Sequence, residues 1–92
     1  MKHQIILLGK DITSVYHGIK EFAPDHVHLL CTNETKDVAA PLFPLLPASI
    51  RRTLYRTEPY DGENVRNVCR KIHQAYPTDK FAYNLSEGTK LI

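Results

Sequence analysis

The chain has 92 residues, 12 Lys and Arg against 10 Asp and Glu, a net charge of +2, and a hydrophobic fraction of 42%. This is one domain at most, of ordinary globular composition, with a core small enough that a dimer partner would add stability. The mild charge excludes a surface built for duplex DNA or for an anionic membrane, so any anion would be held by a local cluster of residues.

Cys31 and Cys69 are the only cysteines, and neither belongs to a CxxC pair. They read as buried free thiols in a reducing cytosol. The first apolar run, Ile5-Ile6-Leu7-Leu8, is too short for a signal peptide or a membrane span. The expectation is a cytoplasmic chain with no membrane contact from this segment and no cofactor.

Residues 4–8 read as the first strand, closed by Gly9. Uninterrupted apolar strands are typical of parallel sheets covered on both faces. Ile12, Val15, Ile19 and Phe22 then repeat at helical spacing; Asp11 or Thr13 caps the start and Pro24 stops the helix. Residues 26–31 form a second strand, which makes a strand-helix-strand crossover unit. Between 36 and 52, Pro41, Pro44 and Pro47 recur every third residue. That stretch reads as an irregular connection packed across the sheet, with a helical turn at 48–52. A polyproline segment and an exposed dimer or lid surface are the alternatives. A short strand at 53–57 follows. Next comes a helix from Asp61 or Gly62 whose inner face is Val65, Val68, Cys69, Ile72, Ala75 and Tyr76, ended by Pro77. Residues 81–85 form the last strand.

This order is the first part of a doubly wound α/β fold: a Rossmann-like parallel sheet of about four strands, order 3-2-1-4, with flanking helices. The first and fourth strands are neighbours in that order, and ligands bind beyond their carboxyl ends. Topology therefore joins the loop Gly9–Ser14 to the loop Ser86–Lys90. Helix-start amides, the hydroxyls of Thr13, Ser14, Ser86 and Thr89, the permissive backbone of Gly88, and Lys10 and Lys90 suit a phosphate-bearing ligand. There is no G-x-G-x-x-G after the first strand and no Walker A loop.

The closing stretch Asn84-Leu85-Ser86-Glu87-Gly88-Thr89-Lys90-Leu91-Ile92 resembles the hallmark turn N-x-[TS]-G-G-T-K-x-[MIL] of the CRISPR-associated Rossmann-fold (CARF) domains. The similarity is greatest to the branch at the amino end of CARF nucleases with a restriction-like catalytic domain. Residues 1–92 then make a single CARF-like domain, either stand-alone or the amino-terminal part of a longer protein. The resemblance implies a homodimer that binds a cyclic oligoadenylate, tetra- or hexa-adenylate, across its two-fold axis in type III CRISPR antiviral signalling. It implies ligand contacts from Gly9, Lys10, Asp11, Thr13, Ser14, Asn84, Ser86, Glu87, Gly88, Thr89 and Lys90. Some family members cleave the ring slowly without metal, which here points to Ser14 or Thr13, with Lys90, as catalytic groups. A generic Rossmann-like nucleotide-binding or interaction domain is the remaining alternative. Glu87 departs from the family pattern, standing where the first glycine of the pair is usual. A carboxylate there repels phosphate unless it meets a base or ribose donor.

Asn84 either contacts the ligand or braces the turn through its amide. Tyr16, beside the first loop, stacks on an adenine or is a plain surface aromatic. His26 and His28 share one face of their strand, but the sequence places no third ligand beside them, so no metal site is expected. His17 and His73 read as exposed helix residues.

Overall fold

The computed structural model describes residues 1–9, 11–58, 61–85 and 88–91, with side chains as far as residue 84. The elements are β1 (Lys2–Leu7), α1 (Ile12–Phe22), β2 (His26–Cys31), α2 (Lys36–Leu42), a 3-10 turn (Phe43–Leu45), β3 (Arg51–Arg56), α3 (Gly62–Ala75), β4 (Lys80–Leu85) and β5 (Gly88–Leu91). The sheet runs β3-β2-β1-β4-β5. Its first four strands are parallel, in the expected 3-2-1-4 order, and β5 is antiparallel to β4.

Because strand side chains alternate, β1 and β2 feed two cores. Ile6, Val27, Leu29 and Cys31 pack under α1 and α2 with Val15, Ile19, Ala39, Leu42 and Leu46. Ile5 and Leu30 pack under α3 with Ile72 and Phe81, flanked by Tyr55, Val65, Val68, Cys69, Tyr76 and Tyr83. Cys31 is buried and Cys69 half-buried, both as free thiols; burial pushes both thiols up.

β1 starts at Lys2, two residues before the expected Gln4. His3 and Gln4 are fully buried although polar, so hydropathy hid the strand's beginning. In α1 the Asp11 side chain accepts from the Thr13 and Ser14 amides. At the other end Ala23 takes the left-handed conformation, φ 51°, and its amide donates to the Ile19 carbonyl at 2.9 Å. α3 is capped by Asp61, which accepts the Asn64 amide at 3.0 Å. Its inner face is as expected except that Ala75 is exposed and His73, expected to be exposed, is half-buried, bonded to the Tyr83 hydroxyl at 3.0 Å.

The middle of the chain differs more. α2 occupies Lys36–Leu42 with Pro41 inside it. Pro41 has no amide to donate to the Asp37 carbonyl, and the regular helix ends one residue later, passing into the 3-10 turn. The expected helical turn at 48–52 is absent, since Arg51 and Arg52 already belong to β3. Arg52 fixes this stretch by donating to the carbonyls of Phe43 at 2.9 Å, Pro47 at 2.8 Å and Ile50 at 3.0 Å. Leu42 and Leu46 are buried in the α1 core while Leu45 is exposed. No helix among the described residues is long and apolar enough to cross a membrane.

Candidate functional site

The carboxyl halves of β1 and β4 lie side by side, with Ile6 paired to Asn84. α1 leaves the end of β1 and packs against both β4 and β5. The joint is explicit: Asn84 is fully buried, and its Nδ2 donates to the Val15 carbonyl at 3.0 Å. The first turn of α1 and the end of β4 therefore meet. Asn84 Oδ1 is buried with no hydrogen-bond partner among the described residues, an acceptor held at this junction at a cost in stability.

Asp11 changes what the start of α1 offers. Its Oδ1 accepts the Thr13 amide at 3.1 Å and the Ser14 amide at 3.2 Å. Those amides were expected to be open to an anion; here an exposed carboxylate occupies them. Ser14 Oγ donates to Asp11 Oδ2 at 2.7 Å. That hydroxyl bond, followed by the Ser14 amide, holds the Asp11 carboxyl below its ordinary pKa. With its proton committed to Asp11, the half-buried Ser14 hydroxyl presents lone pairs outward and acts as an acceptor. Thr13 is exposed. Gly9 is not required by the fold, because a Cβ added there would meet nothing within 4 Å. Its bareness leaves room for close approach of another group.

The second expected loop is corrected in part. Gly88, Thr89 and Lys90 belong to β5: Gly88 pairs with Leu85, Thr89 with Asn84 and Lys90 with Tyr83. Only residues 86 and 87 separate the two strands, the spacing of a tight hairpin. Ser86, Glu87 and Lys10 lie outside the described residues, as do the side chains of Thr89 and Lys90. The described side chains of the site are thus the Asp11 carboxylate, the Thr13 and Ser14 hydroxyls and the Asn84 amide. The Asp11 carboxylate and the two hydroxyls suit ribose hydroxyls and base amines, while the buried Asn84 amide braces the joint behind them.

Tyr16 packs at the rim of the α1 core, with the Lys20 ammonium 5.6 Å from its ring centre. A second cleft of about 500 Å³ opens at the same end of the sheet, lined in part by Thr32, Thr35, Thr57, Glu34, Glu58 and Asp61. The histidine pair also acquires the neighbour that the sequence did not place: His3 of β1 pairs with His26, and its Nδ1 lies 3.0 Å from His28 Nε2.

The sequence matches no protein-family model and no curated protein. Among solved structures the fold is similar to that of Can2 from Sulfobacillus thermosulfidooxidans in complex with cyclic tetra-adenylate. The TM-score is 0.73 at 14% identity, over 91% of this chain and 32% of that one. The chain therefore spans about a third of the length of Can2, and the likeness at this identity is one of fold.

Proposed function

We propose that this domain binds a cyclic oligoadenylate, cyclic tetra-adenylate first, at the carboxyl ends of β1 and β4, with a second copy of the chain completing the site in a type III CRISPR antiviral context. The observation that carries this reading is a coincidence of place. The Asn84–Ile92 stretch that resembles the CARF turn starts at the end of β4, beside the first turn of α1. It does so in a fold similar to that of a protein solved with cyclic tetra-adenylate. In this reading Asn84 aligns the hairpin against α1, Gly9 and Gly88 let the ligand approach the backbone, and Lys10 and Lys90 neutralise phosphate. Ser86 and Thr89 hydrogen-bond ribose or phosphate oxygens. Asp11 and Glu87 repel phosphate and attract the exocyclic amines of adenine. In this reading the domain works in the cytoplasm.

Competition binding with labelled cyclic tetra-adenylate tests the roles. Lys90→Ala is expected to weaken binding about tenfold or more, the worth of a charge-assisted contact, and unchanged affinity removes Lys90 from the site. Glu87→Gly is expected to tighten binding; loss of binding instead means that Glu87 reads the ligand.

The Ser14–Asp11 bond favours one second reading, slow cleavage of the ring. The ribose 2'-oxygen attacks the phosphorus on its own 3'-oxygen as its proton passes to solvent, the bond from phosphorus to the 5'-oxygen breaks, and that oxygen takes up a proton from solvent, giving a linear product with a 2',3'-cyclic phosphate and a 5'-hydroxyl. Ser14, its proton held by Asp11, accepts the 2'-hydroxyl proton as a hydrogen bond and orients the attack. Lys90 offsets the charge on the phosphoryl oxygens. Chromatography of the ring after long incubation in chelator separates the readings, since an intact ring at saturating binding leaves only the sensor.

A further inference from the structure

At the opposite, amino-terminal end of the sheet, His3 of β1 and His26 and His28 of β2 form a cluster beneath Tyr76. They are 0%, 3% and 0% exposed. Tyr76 lies against the His3 ring, with centroids 4.2 Å apart. Three imidazoles carry six ring nitrogens, and each buried one needs a partner. Three of the six face outward to a hydrogen-bonding group. His3 Nε2 is 2.8 Å from Asp79 Oδ2, His26 Nε2 is 2.8 Å from Thr53 Oγ1, and His28 Nδ1 is 2.9 Å from the Tyr55 hydroxyl. The other three are left to one another. His3 Nδ1 and His28 Nε2 lie 3.0 Å apart, and His26 Nδ1 is buried with no hydrogen-bond partner among the described residues.

Protons alone do not satisfy that inner set. One proton shared between His3 and His28 still leaves His26 Nδ1 unpaired in the core. A cation satisfies all of it: three inward lone pairs bind the ion, and three outward N–H groups donate to Asp79, Thr53 and Tyr55. Such outer partners fix the tautomer of metal-binding histidines. One ring nitrogen from each histidine already falls within 4.8 Å of the others. Nitrogens bound to one zinc at about 2.0–2.1 Å stand roughly 3.3 Å from each other, so modest ring rotations close the set.

We infer that His3, His26 and His28 form a three-nitrogen site for a divalent transition metal, Zn²⁺ first, which ties together the amino ends of the strands. Imidazole suits zinc, copper, iron and nickel, and the buried cluster favours neutral rings with free lone pairs. Burial, with the neighbouring positive charges, lowers the pKa of both His26 and His28. The ion would link β1 to β2 directly, reach β3 through Thr53 and Tyr55, and reach the start of β4 through Asp79. This role is independent of any ligand at the far end of the sheet.

The test uses tag-free protein. Expressed in zinc-supplemented medium and desalted, it is expected to carry about one Zn²⁺ per chain by mass spectrometric metal analysis. Stripped with chelator and reloaded with Co²⁺, it should show the visible absorption bands of low-coordinate cobalt bound by three nitrogens. Zn²⁺ at a hundredfold excess over its Kd should raise the melting temperature of the stripped protein by roughly 10–20 °C. His26→Gln retains a group for Thr53 but removes Nδ1, so it should lose the metal, while His17→Ala, at an exposed helix position, should retain it. Less than a tenth of an ion per chain in the wild type, with no melting shift from Zn²⁺, Co²⁺ or Ni²⁺, overturns the site. So does a folded His26→Gln protein that binds zinc as the wild type does. Should His26→Gln fail to fold, the wild-type stoichiometry and melting shift decide alone.

Discussion

Replacing Asn84 with Asp exchanges the Nδ2 donor for a carboxylate oxygen. That oxygen would face the Val15 carbonyl across the 3.0 Å that the amide now bridges. The site is fully buried, so the charged form is strongly disfavoured. The penalty has a ceiling, because the carboxyl can take up a proton and then donate to Val15 as the amide does. Holding a carboxyl protonated at pH 7 costs about 4 kcal/mol relative to an unfolded-chain pKa of about 3.9. The folded pKa is raised, so the variant's stability is fully present below about pH 3.9. It is lost by about 1.4 kcal/mol per pH unit as pH rises toward the folded pKa. Urea denaturation of Asn84→Asp and wild type at pH 4, 5.5 and 7 reads this directly. The gap is expected to be within about 1 kcal/mol at pH 4, about 2 at pH 5.5, and up to about 4 at pH 7. That last value is a large share of the roughly 5–15 kcal/mol typical of a domain. A gap below about 0.5 kcal/mol that does not change with pH would refute the buried joint between β4 and α1.

In metal-free protein His28 is held down at about 3 from an ordinary 6.5, first by burial, then by His26, His3, Arg51 and His73; Asp79, Tyr55 and Tyr76 also face the cluster. The folded value is the lower one, so the unfolded chain takes up the proton first. The contribution is complete above about pH 6.5 and is lost as pH falls toward 3, with a ceiling of about 5 kcal/mol. Equal urea midpoints at pH 7.5 and 4.5 would contradict it. Asp11→Asn retains an acceptor for the Thr13 and Ser14 amides but removes the charge. It is expected to leave the melting temperature nearly unchanged and to tighten cyclic tetra-adenylate binding severalfold, whereas weaker binding means that the Asp11 charge attracts the ligand.

Much of the fold was legible because its signals are local. The helical repeat from Ile12 to Phe22, the apolar run of β2 and the capped helix after Asp61 each carry their own period, and right-handed crossovers then order the strands. What stayed hidden depends on tertiary partners. β5 has only four residues and no alternating apolar pattern, and it is a strand because Gly88–Leu91 pairs with the edge of β4. α2 was masked by Pro41, which signals a break yet sits where the helix is already ending. In the candidate site, topology correctly joined the start of α1 to the end of β4. The sequence could not tell that Asp11 would occupy the helix amides, since Asp11 and Thr13 were equal candidates for the cap. His3 was invisible as a neighbour of His26 and His28 because only the β1–β2 register brings it there.

Calorimetric titration of the wild-type chain with unlabelled cyclic tetra-adenylate tests the central claim most directly. Saturable binding at micromolar protein, with one ring for every two chains, is the predicted result. The absence of heat with both cyclic tetra- and hexa-adenylate, from protein shown to be folded, would contradict it.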